Sequence, residues 1–332
     1  MKPRFIFVME AEHFPRLFGD TELARLRTMV DLVEPPLNAG QLRAGGNRAD
    51  EVEGILSSWG MPELSPALLK TLPRLRAVFH AAGTIKSIAT EASWAHGIRI
   101  TSAASENAKP TAEFAFAQII LSLKHGWARV FALRERQAYA QNDPLMPGCY
   151  GSTVALLSLG KIGRLVAGRL ATLDVNVIAY DPTISPAEAA ALNVTLCSLE
   201  EAFARADVVS CHMPLTAQTT GLLGRKEFAA MKPGATFINT ARGALVRESE
   251  MIQVLHERPD LFAILDVTDP EPPSPHSPLF KLKNVVLTPH IAGSTGPECR
   301  RLGLMMVDEI ERYLAGQPLL GEVRRGQLEL IA

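Results

Sequence analysis

The chain has 332 residues, a formal net charge of -1, 47% hydrophobic residues and 21% charged ones. That length holds two domains with full cores, and the near-zero charge excludes the basic footprint of a nucleic-acid binder or a polybasic membrane patch. The four cysteines, Cys149, Cys197, Cys211 and Cys299, are scattered without a C-x-x-C pair, which argues against a zinc site or a disulfide framework and for a reducing compartment.

In chain order, the opening MKPRFIFVME carries an apolar run too short for a signal peptide and followed at once by charge. RFIFVM reads as a strand, DTELARLRTMV as a helix capped by Asp20 or Thr21, EGILSSWG as a strand entering a loop, PALLKTLP as a helix, and LRAVFHAAG and IRITSA as strands. FAFAQIILSL, Phe114 to Leu123, reads as a buried helix, about half the length of a membrane span. The expectation is a cytoplasmic protein with neither membrane nor nucleic acid as a partner. A second series begins near Gly151 with the strand TVALLSLG and the helix KIGRLVAGRLATL, whose apolar stripe is Ile162, Leu165, Val166, Leu170 and Leu173. VNVIAYD, DVVSCHMP, ATFINTA, FAILDVT and VVLTPHIA follow as strands, and a helix from Pro297 to Ala315 is stopped by Gly316 and Pro318. Repeated β-α-β units predict an α/β protein with mostly parallel sheets and helices on both faces.

Residues 156 to 170, LLSLGKIGRLVAGRL, join a strand to a helix. A dinucleotide-binding turn there reads G-x-G-x-x-G, and this one reads Ser158-Leu159-Gly160-Lys161-Ile162-Gly163. The first glycine permits the tight turn, the second lets the backbone approach the pyrophosphate, and the third lets the helix pack on the strand. Gly160 and Gly163 keep the last two tasks, and the small Ser158 takes the first. Asp181 ends the next strand roughly twenty residues on, the spacing of a carboxylate that binds the adenosine ribose. Its charge opposes a 2′-phosphate, so the expected cofactor is NAD (NADH) rather than NADP. The alternative is an α/β junction that binds nothing.

Three further stretches carry candidate chemistry: INTARGALV with Arg242, LDVTDPEPPSPHSPLF with Glu271, and NVVLTPHIAGST with His290. Taken singly, each has a plain reading as a surface residue, a solvated carboxylate or a satisfied histidine. Together they sit on or just past strand ends, where open parallel sheets gather ligand groups. Reduction of a ketoacid needs a cation for the carboxylate, a proton donor for the carbonyl and a group that orients the donor. Arginine offers the fork, histidine titrates near neutrality, and a carboxylate holds the histidine tautomer. The proline-rich loop Asp269 to Phe280 is stiff enough to hold such a group. No metal is expected.

ADVVSCHMPLTAQTTGLLG, MKPGATFINTARGALV, DVTDPEP and TPHIAGST, in this order and spacing, resemble signatures of the D-isomer-specific 2-hydroxyacid dehydrogenases. That family includes glycerate, lactate and phosphoglycerate dehydrogenases and glyoxylate/hydroxypyruvate reductases, and the resemblance covers nearly the whole chain. It implies that Arg242 binds the substrate carboxylate and helps polarise the carbonyl, that His290 is the acid/base, and that Glu271 is its partner. It places Asp266 against the nicotinamide carboxamide and lines the cofactor with Met213, Pro214, Thr219, Thr240, Ala241 and Gly293. His212 is read as structural. A glutamate rather than a glutamine at 271 sets the formate dehydrogenase branch aside. The implied fold has two doubly wound parallel-sheet domains, with a Rossmann cofactor domain (105–294) inserted into a flavodoxin-like substrate domain (1–104 and 295–332). Hinges would fall near Ala104 and Ser294, and closure would exclude water. A homodimer built on the helical region after Pro110 is also implied, although a buried core helix would look the same.

The sequence departs from the family in places. HAAGTIKSI, His80 to Ile88, stands where many members carry G-x-G and an acid. The N–H groups of Gly83 and Thr84 are the candidate substrate cradle. Lys86 reads either as a group that attracts an anionic substrate or as a solvated lysine. Trp59, in SSWGMPEL, reads either at the mouth of the substrate cleft or as packing for its own loop. Arg247 replaces a helix-capping aspartate at a cost of about 1 kcal/mol, and RQAYAQNDPLMPGCY lacks the glycine–tryptophan pattern of many relatives. The leading reading is an enzyme that uses NAD to interconvert a D-2-hydroxyacid and its 2-ketoacid, with a small-molecule partner and a homodimeric state. An NAD-responsive corepressor-like binding protein on the same scaffold is the second reading. Reduction of a non-carboxylate such as a phosphonate is the third.

Overall fold

The computed structural model describes residues 2–45, 48–139 and 143–330. The extreme ends of the expected substrate domain, and part of the segment before Gly151, lie outside the described residues. The chain divides into two units, Met1–Asn107 with Ser294–Ile331, and Ala108–Gly293.

The first unit is built on β1 (Arg4–Val8), β2 (Asp31–Leu37), β3 (Val52–Ser57), β4 (Ala77–His80), β5 (Arg99–Ser102) and β13 (Glu322–Val323), in the order β13-β5-β4-β3-β1-β2. Its five parallel strands follow the flavodoxin-like order, and β13 joins β5 antiparallel at one edge. β1 alternates between two cores. Phe5 and Phe7 pack with Leu302, Met306 and Ile310 of the Cys299–Leu314 helix, while Ile6 and Val8 pack with Ile55, Val78 and Ile100. A strand covered on both faces is apolar at every position, which is why RFIFVM reads as it does.

Two sequence expectations need correction in the helices, and one strand went unread. DLVEPPL is a strand, β2, although its two prolines disguise it. It is the sheet edge and pairs with β1 alone, so the missing donors break no ladder. The Asp20–Met29 helix is capped by Gly19, not by Asp20 or Thr21, and the Gly19 N–H donates to Glu22 Oε2 at 2.8 Å. The helix before the second series runs Ala104–Leu123, straight through Pro110. Ala108, Ala112, Ala115 and Ile119 are buried along it, and that stripe outweighs the lost N–H of the proline.

The second unit is built on β6 (Thr153–Leu157), β7 (Asn176–Tyr180), β8 (Thr195–Leu196), β9 (Val208–Cys211), β10 (Thr236–Asn239), β11 (Phe262–Leu265) and β12 (Val285–Leu287), all parallel in the order β12-β11-β10-β9-β6-β7-β8. This is the Rossmann order with one further strand, and its direction of winding reverses between β6 and β9. Val154 and Leu156 face a core with Ala112, Ala115 and Ile119; Ala155 and Leu157 face another with Phe203, Phe228 and Phe237. Arg247 precedes the Glu248–Glu257 helix and makes no side-chain cap. It donates instead to Gly221 O at 2.5 Å and pairs with Glu250 at 2.8 Å. No helix among the described residues is long and apolar enough to cross a membrane.

Candidate active site

β11 and β12 are adjacent and parallel, so the segments after Leu265 and Leu287 leave the sheet side by side. Asp266 follows β11 and is buried. Its carboxylate accepts from Thr288 Oγ1 at 2.6 Å and from the N–H groups of Ile291 and Ala292 at 2.8 and 2.9 Å. These bonds wrap the turn around the carboxylate and hold His290 in the left-handed region, φ 53°, where surroundings rather than preference keep an L-residue. His290 Nδ1 is hydrogen-bonded to Glu271 Oε1. Pro270, Pro272 and Pro273 flank Glu271 and restrict its loop. His290 and Glu271 are 50% and 41% exposed at their side chains, and Nε2 has no hydrogen-bond partner among the described residues. The carboxylate expected against a nicotinamide is thus the organiser of the histidine turn.

Arg242 lies just past β10. Asn239 holds the segment from both sides, donating from Nδ2 to Arg242 O at 2.9 Å and accepting from the Ala241 N–H at 3.0 Å. Burial pulls the Arg242 guanidinium below its usual range, and the charge of Glu271 opposes that pull. Gly243 explains how the two loops meet. A Cβ there would lie 2.0 Å from the Thr268 backbone, so only glycine lets the Arg242 segment lie against the loop that carries Glu271.

At the switch point, the turn after β6 has the form its sequence implies. Ser158 adopts φ 79°, the left-handed conformation a first glycine would take. Its Oγ donates to Asp181 Oδ2 at 3.3 Å. A Cβ on Gly163 would sit 2.1 Å from Ser158 O, which is the close helix–strand packing expected of the third glycine. The Leu159 N–H donates to Asp181 Oδ2 at 2.7 Å, and Thr183 donates to Oδ1 from its N–H at 2.8 Å and its hydroxyl at 2.6 Å. Burial pushes the Asp181 carboxyl up, but these four hydrogen bonds outweigh it and hold the group below its usual range. Lys161 is exposed and Ile162 half-buried at the start of the helix.

The other expected cofactor residues divide by role. Thr219 ties the loop after β9, its hydroxyl donating to Pro214 O at 2.7 Å and its N–H to Thr216 Oγ1 at 3.2 Å. Met213 and Ala241 are buried, and Gly293 closes the unit. Thr240 and His212 each follow the register-matched ends of β10 and β9. Thr240 Oγ1 and His212 Nδ1 are buried without a partner among the described residues. Ser210 Oγ lies 3.1 Å from His212 Nε2, and burial pushes the His212 imidazole down to about 4.

Trp59, Gly83 and Thr84 belong to the first unit. Trp59 is 39% exposed, and its ring is tilted against that of His13 in the loop after β1, with centroids 5.0 Å apart. Gly83 and Thr84 follow β4 and are half-buried. Lys86 is half-buried, and its N–H reaches Thr84 Oγ1 at 3.3 Å. Sequence reasoning overlooked the buried polar residues at the ends of β3, β4 and β5. The signal was a serine or histidine closing a short strand.

Residues 117–292, more than half of the chain, match the family model described as D-isomer specific 2-hydroxyacid dehydrogenase, NAD binding domain. The chain belongs to the D-isomer-specific 2-hydroxyacid dehydrogenase family. It is 35% identical over 254 residues to a D-3-phosphoglycerate dehydrogenase of Mycobacterium bovis, an alignment covering 75% of this chain and 47% of that one. The chain spans about half the length of the curated relatives it matches. The crystal structure of the TT0316 protein from Thermus thermophilus is similar over 97% of this chain and 100% of that one, with a TM-score of 0.77 and 29% identity. A glyoxylate reductase from Paecilomyes thermophila shares the fold, with a TM-score of 0.80 and 24% identity over 98% and 99% of the two chains.

The residues of this family member fit a dinucleotide. A Cβ on Gly160 would meet nothing closer than Ser158 Oγ at 3.8 Å, so the space over the turn is open. Thr240 Oγ1 and His212 Nδ1 are orphaned polar atoms at the end of the same sheet, and buried polar atoms ordinarily have partners.

Proposed function

We propose that the chain is an NAD-dependent D-2-hydroxyacid dehydrogenase, interconverting a D-2-hydroxyacid and its 2-ketoacid. The observation that carries this reading is the His290–Glu271 pair, with Arg242 beside it, on the sheet that also bears the Ser158–Gly163 turn. Bound NADH supplies the hydride delivered to the carbonyl carbon. Arg242 pairs with the substrate carboxylate and helps polarise the carbonyl. His290 gives the proton on Nε2 to the carbonyl oxygen and recovers it in the reverse direction. Glu271 accepts the hydrogen bond from Nδ1–H, so it fixes which nitrogen faces the reactant and steadies the charged ring. Asp266 keeps the histidine turn in place through its three hydrogen bonds. Gly83 and Thr84 present backbone donors for a carboxylate.

The preference for NAD over NADP rests on Asp181, held ionised by four donors, which opposes a 2′-phosphate. The matched relatives are named as dehydrogenases, which favours turnover over the binding-protein reading. Four free thiols suit a reducing compartment such as the cytoplasm.

A homodimer is supported by the Gly126–Arg136 helix, which has no buried residue and exposes Val130 and Leu133. Beside it a cleft of about 740 Å³, lined by Trp127, Phe131, Phe262 and Phe280, opens at the amino ends of β10, β11 and β12. That is the opposite edge of the sheet from His290, so the cleft suits a second copy of the chain rather than the substrate. Sedimentation should give a dimer that Leu133→Glu dissociates.

The reaction is tested by following NADH oxidation at 340 nm with glyoxylate, hydroxypyruvate, pyruvate, phenylpyruvate and 2-ketoglutarate. Turnover with one of them, giving a D-configured product where the product is chiral, is expected. Failure with all five, in a preparation that binds NADH, contradicts the proposal.

A further inference from the structure

Three adjacent strands of the first unit end on buried polar side chains in register: Ser57 on β3, His80 on β4 and Ser102 on β5. Ser58, also buried, follows the first of them. Buried polar groups need partners, and these find theirs in one short loop. Ser58 Oγ donates to Ala81 O at 3.0 Å, the Ala103 N–H to Ala82 O at 3.0 Å, and Ser102 Oγ to Gly83 O at 3.0 Å. His80 lies between them, with Nδ1 at 2.9 Å from Ser57 Oγ, and its ring also hydrogen-bonds to the Thr84 backbone.

The carbonyls of Ala81, Ala82 and Gly83 therefore all point into the sheet end. In a trans peptide the N–H points away from the carbonyl. With the Ala82 and Gly83 carbonyls turned inward, the Gly83 and Thr84 N–H groups turn outward. Neither has an acceptor among the described residues. The imidazole suits its place because a neutral ring accepts on one nitrogen and donates on the other. Burial pushes it down to about 4, so it is neutral at ordinary pH.

We propose that His80 is a positioning residue: clamped by Ser57, it fixes the Ala81–Thr84 loop so that the Gly83 and Thr84 N–H groups stay turned out of the sheet end as donors for a ketoacid carboxylate. It sets the affinity for the 2-ketoacid and leaves that for the cofactor alone. This inference rests on the functional reading above.

The test compares wild type, His80→Phe, His80→Asn and Ser57→Ala. His80→Phe keeps an aromatic ring in the space but loses both nitrogens. It should raise KM for the preferred ketoacid by about tenfold, the effect of losing a buried hydrogen bond. KM for NADH and kcat should stay within about twofold. His80→Asn, whose amide oxygen can accept from Ser57, should recover part of the loss, and Ser57→Ala should move KM in the same direction by less. Amide hydrogen exchange at Ala81 and Ala82, the two hydrogen-bonded amides of the loop, is measured in parallel and should quicken in His80→Phe without change in the interior of β3 or β4. Unaltered exchange and unaltered ketoacid KM would overturn the proposal, as would an equal rise in KM for NADH and ketoacid. If the wild type turns over no ketoacid, the functional reading fails, while the exchange experiment still decides whether His80 holds the loop.

Discussion

The two sheets end differently at their carboxyl edges, although both are parallel and doubly wound. In the second unit the hydrogen-bonded pair His290 and Glu271 lies beyond the strands, on loops, and is about half exposed, at 50% and 41%. In the first unit the pair His80 and Ser57 lies on the last residues of the strands and is buried, at 4% and 0% exposure. Exposed, oriented side chains suit proton transfer and ion pairing, whereas buried neutral ones suit holding a backbone still. The same architecture therefore leaves an exposed pair at the end of one sheet and a buried pair at the end of the other.

Replacing Arg242, whose charge lies near Glu271 of the exposed pair, should sharpen that contrast most. Arg242→Gln should lower kcat/KM for the ketoacid by on the order of 10²–10³, because it removes a bidentate charged contact, with NADH affinity measured by fluorescence nearly unchanged. A loss of NADH affinity of the same size would break the division of roles.

Buried histidines in both units make a prediction about stability. His80 and His212 are each held at about 4 in the fold, against about 6.5 in an unfolded chain. Between those values the unfolded state binds more protons, so stability rises with pH and is lost as pH falls from 6.5 towards 4. Each histidine should contribute about 3 kcal/mol of that loss. Denaturant titrations at intervals across this window should show the slope, and a His212→Asn variant should flatten it by about one proton's worth. A flat profile in the wild type would contradict the buried neutral state.

Smaller effects belong to the Ser158–Gly163 turn proposed to receive the cofactor. Asp181→Ser should raise kcat/KM with NADPH relative to NADH by about tenfold, since it removes the charge that opposes a 2′-phosphate. Ser158→Gly should be nearly silent. It releases left-handed strain of about 1 kcal/mol and gives up one hydrogen bond of similar worth, so the dissociation constant for NADH should move less than about threefold. A large gain would mean that Ser158 strains the turn more than Asp181 compensates.

Much of the fold was legible because parallel strands buried on both faces are short apolar runs between helical patterns, as in RFIFVM and TVALL. What escaped has physical causes. β2 carries two prolines that only an edge strand tolerates, and β8 and β13 have two residues each, too few for any periodicity. Pro110 read as a boundary because local chemistry says so, yet tertiary burial carried the helix through it. Arg242, Glu271 and His290 were legible as a set, since their stretches share one mechanism and one order. The bonds that shape the histidine turn were not: Asp266 wraps it through contacts across 22 to 26 residues. His80 was hidden for a related reason, because a histidine closing a strand looks the same whether it is buried or exposed.

The most direct test of the account is the rate of ketoacid-dependent NADH oxidation by the wild type and His290→Ala side by side, with NADH binding measured on both. The account predicts turnover in the wild type, a fall in kcat on the order of 10²–10⁴ in the variant, and equal affinity for NADH. A variant that turns over at the wild-type rate would contradict the assignment of His290 as the proton donor.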